Sequence, residues 1–215
     1  MNEDVTVCVV DDDEPVRNAL VRLLKSAGYR ARTFASAQAL LNAPRPPDDT
    51  PIVVLTDLRM PGMDGIAMAE QLSDAPVPPP IVFLSAHGDV PATVRAMRDG
   101  AIDFLEKPVQ EDALFEAIGR AVARSREQVS RLEGLRELRE KYETLTPRER
   151  QVFALVVSGL INKEVAWELG VCEKTIKVHR ARVVEKMKAR SLPDLVRMAA
   201  RLGIEPQAPG ISQAV

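Results

Sequence analysis

The sequence predicts an α/β domain with a parallel five-stranded sheet, joined by a long helical linker to an all-α domain of four helices. Between residues 4 and 124, five apolar runs rich in β-branched residues alternate with amphipathic stretches, as in a doubly wound sheet. Residues 1–124 carry a net charge of −7 and residues 144–215 a net charge of +5. We therefore expect a first domain at 1–124, a linker at 125–143, a second domain at 144–206 and a disordered tail at 207–215.

The composition is that of an ordinary globular protein, with 46% hydrophobic and 28% charged residues in a chain of 215. No apolar run approaches the ~20 residues of a membrane span, and Glu3 and Asp4 stand where a signal peptide would be basic and apolar. A cytoplasmic location without membrane attachment is the expectation. Cys8 and Cys172 lie far apart in the sequence, so both are expected to be reduced thiols, with no disulfide or metal framework.

The first strand and helix show how each element is predicted. Val5–Val10 is a β-branched run, and Pro15 suits the first turn of a helix that Asp13 caps and Gly28 ends. Similar signals predict a strand at Tyr29–Phe34, a helix from Ser36 to Leu41, a strand from Val53 to Asp57, a helix at Gly65–Leu72, a strand at Ile81–Ser85, a helix at Asp89–Arg98, a strand at Ile102–Leu105 and a helix that starts near Gln110.

Polar side chains follow four of the predicted strands at one edge of the sheet. Asp11 and Asp12 follow the first, Asp57 ends the third, Ser85 ends the fourth, and Lys107 follows the fifth. Three carboxylates repel one another unless a cation such as Mg²⁺ binds among them. Lysine and serine suit phosphoryl oxygens, and an aspartate can form an aspartyl phosphate. The alternative is a structural salt bridge between Asp57 and Lys107.

These residues stand in motifs that closely resemble the receiver domain of two-component response regulators. The resemblance covers residues 4 to about 124 and implies a flavodoxin-like (CheY-like) fold with strand order 2-1-3-4-5. The motifs that carry it are Val10-Asp11-Asp12, Thr56-Asp57-Leu58-Arg59-Met60-Pro61-Gly62-Met63-Asp64-Gly65, Leu84-Ser85-Ala86-His87-Gly88 and Asp103-Phe104-Leu105-Glu106-Lys107-Pro108.

The resemblance also implies a chemistry for this edge. Asp57 would accept a phosphoryl group from a sensor histidine kinase. Mg²⁺ would be held by Asp11, Asp12, Asp57 and the backbone carbonyl of Arg59. The chain would therefore be no enzyme beyond self-catalysed phosphotransfer and autodephosphorylation.

Three further residues would form the switch of such a receiver. Lys107 would bridge to the phosphoryl group, and the Lys107–Pro108 bond would be cis. Ser85 would follow the phosphoryl group inward, and Phe104 would rotate with it. The family often has Thr at the position of Ser85, and the hydroxyl is kept. From its spacing alone, Phe104 is equally well a core aromatic.

The segment from Glu111 to Glu143 is predicted to form one long helix, because it lacks proline and contains only two glycines. Fraying of this helix is expected near Gly134. Apolar residues recur along it at spacings of 3, 3, 4 and 3: Leu132, Leu135, Leu138, Tyr142 and Leu145. Such a stripe either docks on its own chain or pairs with a second chain, and two heptads do not decide between the two.

The basic end predicts four helices with a helix-turn-helix among them. Thr146-Pro147-Arg148-Glu149 is a capping box that starts the first helix. The others begin at Asn162, Glu173 and Ser191, and the third is expected to run to Ala189. The candidate DNA contacts lie on that third helix: Lys174, Thr175, Lys177, Val178, His179, Arg180, Ala181, Arg182 and Lys186. The alternative is a solvated basic helix.

This domain is similar to the four-helix DNA-binding domain of the LuxR/NarL type over about 144–204. The resemblance rests on Leu145–Val152, Gly159–Ala166 and Thr175–Arg180. Cys172 stands where the family usually has Ser or Thr, and a thiol is a poor helix cap.

The whole chain resembles a FixJ-type response regulator, a phosphorylation-dependent transcription regulator. The resemblance implies that phosphorylation exposes the predicted fourth helix, fifth strand and fifth helix for homodimerisation. The dimer would bind two half-sites of promoter DNA and engage RNA polymerase. Two other classes stay open: a stand-alone phosphatase or phosphotransfer enzyme, and an interaction module with a degenerate receiver that binds no magnesium.

Overall fold

The computed structural model describes residues 4–44, 46–47, 49–86 and 102–205. The predicted helix at Asp89–Arg98 and the predicted tail at 207–215 lie outside these residues. The elements of the first part are β1 (Thr6–Val10), α1 (Glu14–Ser26), β2 (Arg30–Phe34), α2 (Ala37–Leu41), β3 (Ile52–Asp57), α3 (Gly65–Ser73), β4 (Ile81–Ser85) and β5 (Asp103–Glu106). The helices that follow are α4 (Glu111–Glu143), α5 (Pro147–Val157), α6 (Asn162–Glu168), α7 (Glu173–Met187) and α8 (Leu192–Arg201).

The five strands form one parallel sheet in the order β2-β1-β3-β4-β5, which confirms the predicted flavodoxin-like order. β1 and β4 are buried along their whole length, as expected for strands covered by helices on both faces. Because all strands run in one direction, their carboxyl ends share an edge. Asp57 is the last residue of β3, and it pairs with Leu84 of β4.

Two apolar layers cover the two faces of the sheet. On one face, Leu24 of α1 and Ile118 of α4 pack against Val7 and Val9 of β1. On the other face, a second cluster includes Met68 of α3 together with the alternate side chains of β1. This alternation along one strand fixes the register, because a slip of one residue would turn every side chain to the opposite face.

Local capping explains where the helices begin and end. Asp13 accepts a hydrogen bond from the backbone N–H of Val16 at the start of α1, and Gly28 adopts a left-handed φ of 80° beyond its end, as predicted. The fifth strand lies one residue later than predicted, at Asp103–Glu106, because Glu106 still pairs with Ser85.

The predicted linker helix is confirmed as one α-helix from Glu111 to Glu143, and it is helical through Gly134, where fraying was expected. The chain divides into two compact units between Arg131 and Leu132, inside the predicted linker segment. The last turns of α4 pack on the second unit, where Leu138 is buried in the core that also contains Leu145. Leu138 and Leu145 of the apolar stripe therefore pack on their own chain. Pairing of the stripe with a second chain stays a prediction.

The second unit contains the four predicted helices. Thr146 and Glu149 form the expected reciprocal capping box at the start of α5, and Gly170 makes the turn after α6 with a φ of 62°. The expected end of α7 at Ala189 was wrong: α7 ends at Met187, because Lys188 adopts a left-handed φ of 53°. Among the described residues, no helix is both long and apolar enough to cross a bilayer.

Candidate functional site

Three carboxylates come together at the carboxyl edge of the sheet, as the strand ends predict. Asp11, Asp12 and Asp57 each offer an oxygen, and these oxygens lie within 4.8 Å of one another. The Asp11 side chain is only 1% exposed, and one of its oxygens accepts a 2.8 Å hydrogen bond from the backbone N–H of Asp13. A set of three closely spaced carboxylate oxygens fits the ligand preference of Mg²⁺.

Lys107 supplies the positive charge of this cluster. Its Nζ lies 2.8 Å from Oδ2 of Asp11 and 3.2 Å from Oδ1 of Asp57. The lysine follows β5 directly, and its backbone N–H donates to the carbonyl of Ser85 at 2.7 Å. The predicted cis bond between Lys107 and Pro108 is present. The cluster thus has three carboxylates against one ammonium, an excess of negative charge that a divalent cation would neutralise.

The pKa values of this cluster reflect burial and charge together. Burial raises the pKa of Asp57, the neighbouring charge of Asp11 raises it further, and Lys107 only partly opposes the two. Burial acts to lower the pKa of Lys107, yet the hydrogen bond and the charge of Asp11, with those of Asp57, raise it above its ordinary value.

The backbone around Asp57 is held by a close approach of α3. The N–H of Gly65, the first residue of α3, donates to the carbonyl of Leu58 at 2.9 Å. A Cβ at Gly65 would lie 2.5 Å from the carbonyl oxygen of Asp57. Glycine is therefore required at this position by space, a constraint that the sequence analysis missed. Its only signal was the Gly that ends the Asp57 motif.

The predicted switch residues Ser85 and Phe104 stand on β4 and β5, the two strands that follow β3 in the sheet. Ser85 is buried at the end of β4, and its hydroxyl donates to the carbonyl of Ala86 at 2.9 Å. Phe104 is half-buried, with its ring centre 6.2 Å from that of Phe83. Arg59 is exposed two residues after Asp57. The roles predicted for Ser85, Phe104 and the Arg59 carbonyl stay predictions.

The second unit presents a basic face on α7. Ile176, Val183 and Met187 are buried in its core, as the apolar spacing predicts. The exposed residues of α7 include five of the candidate DNA contacts: Lys174, Lys177, Val178, Ala181 and Arg182. Lys177 pairs on the surface with Glu173 at 3.2 Å. A helix-turn-helix offers its second helix to the major groove, and this face has the chemistry for that contact.

The other candidate contacts are less accessible. Thr175, His179, Arg180 and Lys186 are all half-buried. The guanidinium of Arg180 donates to Oδ1 of Asn162 at 3.0 Å, and Lys186 donates to Glu149 and to the carbonyl of Thr144. The expected weakness of the Cys172 cap is also visible: its thiol makes no capping hydrogen bond and lies 3.1 Å from Oγ1 of Thr175.

Comparisons with known proteins agree with both units. The response regulator receiver domain family matches residues 7–119, and the LuxR family of bacterial regulatory proteins matches residues 143–199. The transcriptional regulatory protein FixJ of Rhizobium meliloti is 43% identical over 94% of this chain and 98% of its own length.

Two solved structures cover both units as well. The response regulator StyR is 44% identical, with a TM-score of 0.78 over 92% of this chain and 98% of its own. Full-length FixJ from B. japonicum is 38% identical, with a TM-score of 0.52 over 93% of this chain and 98% of its own. The chain therefore belongs to the FixJ-type response regulators, which join a receiver domain to a LuxR-type DNA-binding domain of transcription regulators.

Proposed function

We propose that Asp57 is the phosphorylation site through which a sensor histidine kinase controls the DNA binding of this chain. The observation that carries the proposal is the position of the Asp57 carboxylate, 3.2 Å from the ammonium of Lys107 and beside two further carboxylates. Asp57 is 14% exposed, so a phosphodonor can reach it, whereas Asp11 is almost fully buried. Of these two lysine-bound carboxylates, Asp57 is therefore the accessible nucleophile.

The chemical step follows from these positions. A carboxylate oxygen of Asp57 attacks phosphorus, the bond from phosphorus to the donor nitrogen breaks, and an acyl phosphate forms. Lys107 already lies beside Asp57, and its ammonium stabilises the charge on the transferred group. Asp11, Asp12, Asp57 and the Arg59 carbonyl would hold Mg²⁺, which neutralises phosphoryl oxygens when bound. The same residues would support slow autodephosphorylation, with no other enzymatic activity.

The output of the switch is sequence-specific binding of promoter DNA by α7. Lys174, Lys177 and Arg182 are exposed cations on that helix, and Val178 offers an apolar contact for a thymine methyl group. Phosphorylation would shift the receiver toward a state that dimerises, with Ser85 and Phe104 as switch residues. The dimer would read two half-sites in the cytoplasm and engage RNA polymerase there.

The test uses the full chain with acetyl phosphate and Mg²⁺, and measures aspartyl phosphate by intact mass together with affinity for selected DNA duplexes. Asp57→Asn should abolish the added phosphoryl group and the increase in DNA affinity, while leaving the folded chain intact. Asp74→Asn is the matched control, since Asp74 is an exposed aspartate after α3. It should behave as the wild type does.

The outcomes separate the two parts of the proposal. Full phosphate-dependent DNA binding by Asp57→Asn would show that another residue is the acceptor. Phosphorylation of the wild type without any change in DNA affinity would show that the receiver does not control α7. Omission of Mg²⁺ should suppress phosphorylation in the wild type, and phosphorylation at an unchanged rate would contradict the assigned metal site.

A further inference from the structure

Lys186 lies on the last turn of α7 and contacts two groups outside its own helix. Its Nζ is 2.6 Å from Oε2 of Glu149 on α5 and donates a 3.0 Å hydrogen bond to the carbonyl of Thr144. Thr144 is the first residue after α4, the helix that leads in from the receiver. One ammonium therefore joins the end of that helix, the start of α5 and the end of α7.

The partner of Lys186 is a deeply buried carboxylate. Glu149 is 2% exposed, and the same Oε2 that binds Lys186 also accepts a 2.9 Å hydrogen bond from the backbone N–H of Thr146. A buried carboxylate requires a fixed cation close by, because an unpaired charge in such a place is strongly unfavourable. The contact is thus directional and partly buried, unlike the ion pair of Lys177 with Glu173 on the surface.

The apolar contacts of α7 do not fix its orientation in the same way. Ile176, Val183 and Met187 bury one stripe of the helix, and apolar packing is non-directional. A helix of 15 residues is roughly 22 Å long, so a small tilt at its last turn displaces its first turns, where base contacts are made. A polar contact at Lys186 restrains this tilt.

We propose that Lys186 is a positioning residue for DNA recognition: it orients α7 through Glu149 and Thr144, and it does not contact DNA. The inference rests on the proposed DNA-binding function and deepens it. The Lys186 side chain is 33% exposed, and its ammonium binds Glu149 within the protein. The phosphate contacts are then made by exposed cations such as Lys177.

The test compares full-length Lys186→Met, Lys186→Arg and Lys177→Met with the wild type on two probes. One probe is a duplex that the wild type selects from a random library, and the other is a short duplex of unselected sequence. Affinities are measured at several salt concentrations. The ratio of the two affinities is the decisive quantity, because partial unfolding or loss of a phosphate contact weakens both probes equally.

Lys186→Met should lower this ratio about tenfold, the loss expected when one base contact is misplaced. It should leave the slope of log affinity against log salt unchanged, and Lys186→Arg should restore the ratio because it keeps a cation beside Glu149. Lys177→Met should weaken both probes together and reduce the slope by about 0.9, as for one lost phosphate contact.

Several results would overturn the inference. If Lys186→Met weakens binding to both probes equally and the salt slope falls, Lys186 is a phosphate contact. If both affinities fall equally and the salt slope is unchanged, Lys186 only stabilises the fold. Wild-type behaviour of Lys186→Met removes any role. The double variant Glu149→Gln, Lys186→Met leaves no unpaired buried charge, so it keeps the measurement possible if Lys186→Met unfolds; a wild-type ratio in the double variant would also refute the inference.

The proposed function and this inference fail in different ways. A wild-type chain that prefers no duplex overturns both, since there is then no sequence recognition for Lys186 to support. A wild-type preference that Lys186→Met retains overturns only the inference. All proteins are phosphorylated with acetyl phosphate and Mg²⁺ before selection and binding, and intact mass confirms the phosphoryl group, so a failure of phosphorylation is seen separately.

Discussion

Replacement of Gly65 by alanine is expected to disturb the proposed phosphorylation site without touching any of its charged groups. The new Cβ would lie 2.5 Å from the carbonyl oxygen of Asp57 and 3.2 Å from the ring of Phe83. Carbon–oxygen contacts are normally at least ~3.3 Å, so β3 and α3 must separate locally by about 0.8 Å. Both neighbours are held in the sheet, since Asp57 and Phe83 belong to β3 and β4.

The size of the effect follows from the kind of contact. Forcing one extra carbon into a packed region costs about 1–3 kcal/mol when the neighbours are backbone atoms. Gly119 offers the matched control, because it is an exposed glycine inside α4 and a Cβ there meets no atom within 4 Å. Gly119→Ala should instead stabilise the helix by about 0.5–1 kcal/mol, the ordinary difference between the two residues in a helix.

The assays are urea unfolding, hydrogen exchange resolved by peptide, and the rate of phosphorylation by acetyl phosphate. Gly65→Ala should lower the free energy of unfolding, speed exchange in the peptides of β3 and α3, and slow phosphorylation. Gly119→Ala should leave the rate of phosphorylation unchanged. If Gly65→Ala were as stable as the wild type and phosphorylated at the same rate, the reasoning from this close approach would be wrong.

Three further predictions concern other contacts of the two units. The pKa of Glu149 is lowered from 4.5 to about 2, first by its hydrogen bond with Lys186, so its ionised form contributes about 3 kcal/mol of stability. Because the carboxyl pKa is lowered, this contribution is present above pH 4.5 and is lost as the pH falls toward 2. Urea unfolding across that range should show a falling free energy of unfolding in the wild type, and this fall should be smaller in Glu149→Gln. The hydroxyl of Ser125 accepts from the N–H of Ile52 and donates to its carbonyl, both at 2.9 Å, so Ser125→Ala should cost about 1–3 kcal/mol in urea unfolding, whereas the exposed Ser130→Ala should change stability by less than about 0.5 kcal/mol. Burial raises the pKa of the Cys8 thiol to about 11, and the Thr175 hydroxyl lowers that of exposed Cys172, so iodoacetamide at pH 8 should label Cys172 alone in the folded chain; equal labelling of both thiols, seen by mass spectrometry, would contradict this.

The meeting of Asp11, Asp12, Asp57 and Lys107 could be predicted from the sequence because topology alone brings it about. Parallel strands with helical crossovers place every carboxyl end at one edge, so a polar residue at a strand end is located without knowledge of any side-chain contact. The alternation of apolar runs and turn residues was enough to find those ends within about one residue. The capping box of Thr146 and Glu149 could also be predicted, because it depends only on residues three apart in the sequence.

Contacts between elements that are distant in the sequence could not be predicted in this way. Nothing in the spacing of α7 shows that Lys186 meets a buried carboxylate 37 residues earlier. Ser125 and Ile52 are likewise 73 residues apart, and the serine lies where the sequence indicated only a linker. The close approach at Gly65 depends on how α3 packs on β3, which no periodicity records.

These distant contacts bear on how α4 connects the two units. Within the first unit, Ser125 binds both backbone groups of Ile52, at the start of the strand that ends in Asp57. Within the second unit, the carbonyl just beyond α4 accepts from Lys186 on α7. α4 is one uninterrupted α-helix, and a proline within it would break a backbone hydrogen bond and kink the helix. A proline at exposed Arg136 would introduce such a break. If α4 carries the signal, Arg136→Pro should still be phosphorylated yet lose the phosphate-dependent gain in DNA affinity, whereas Arg136→Ala should keep both.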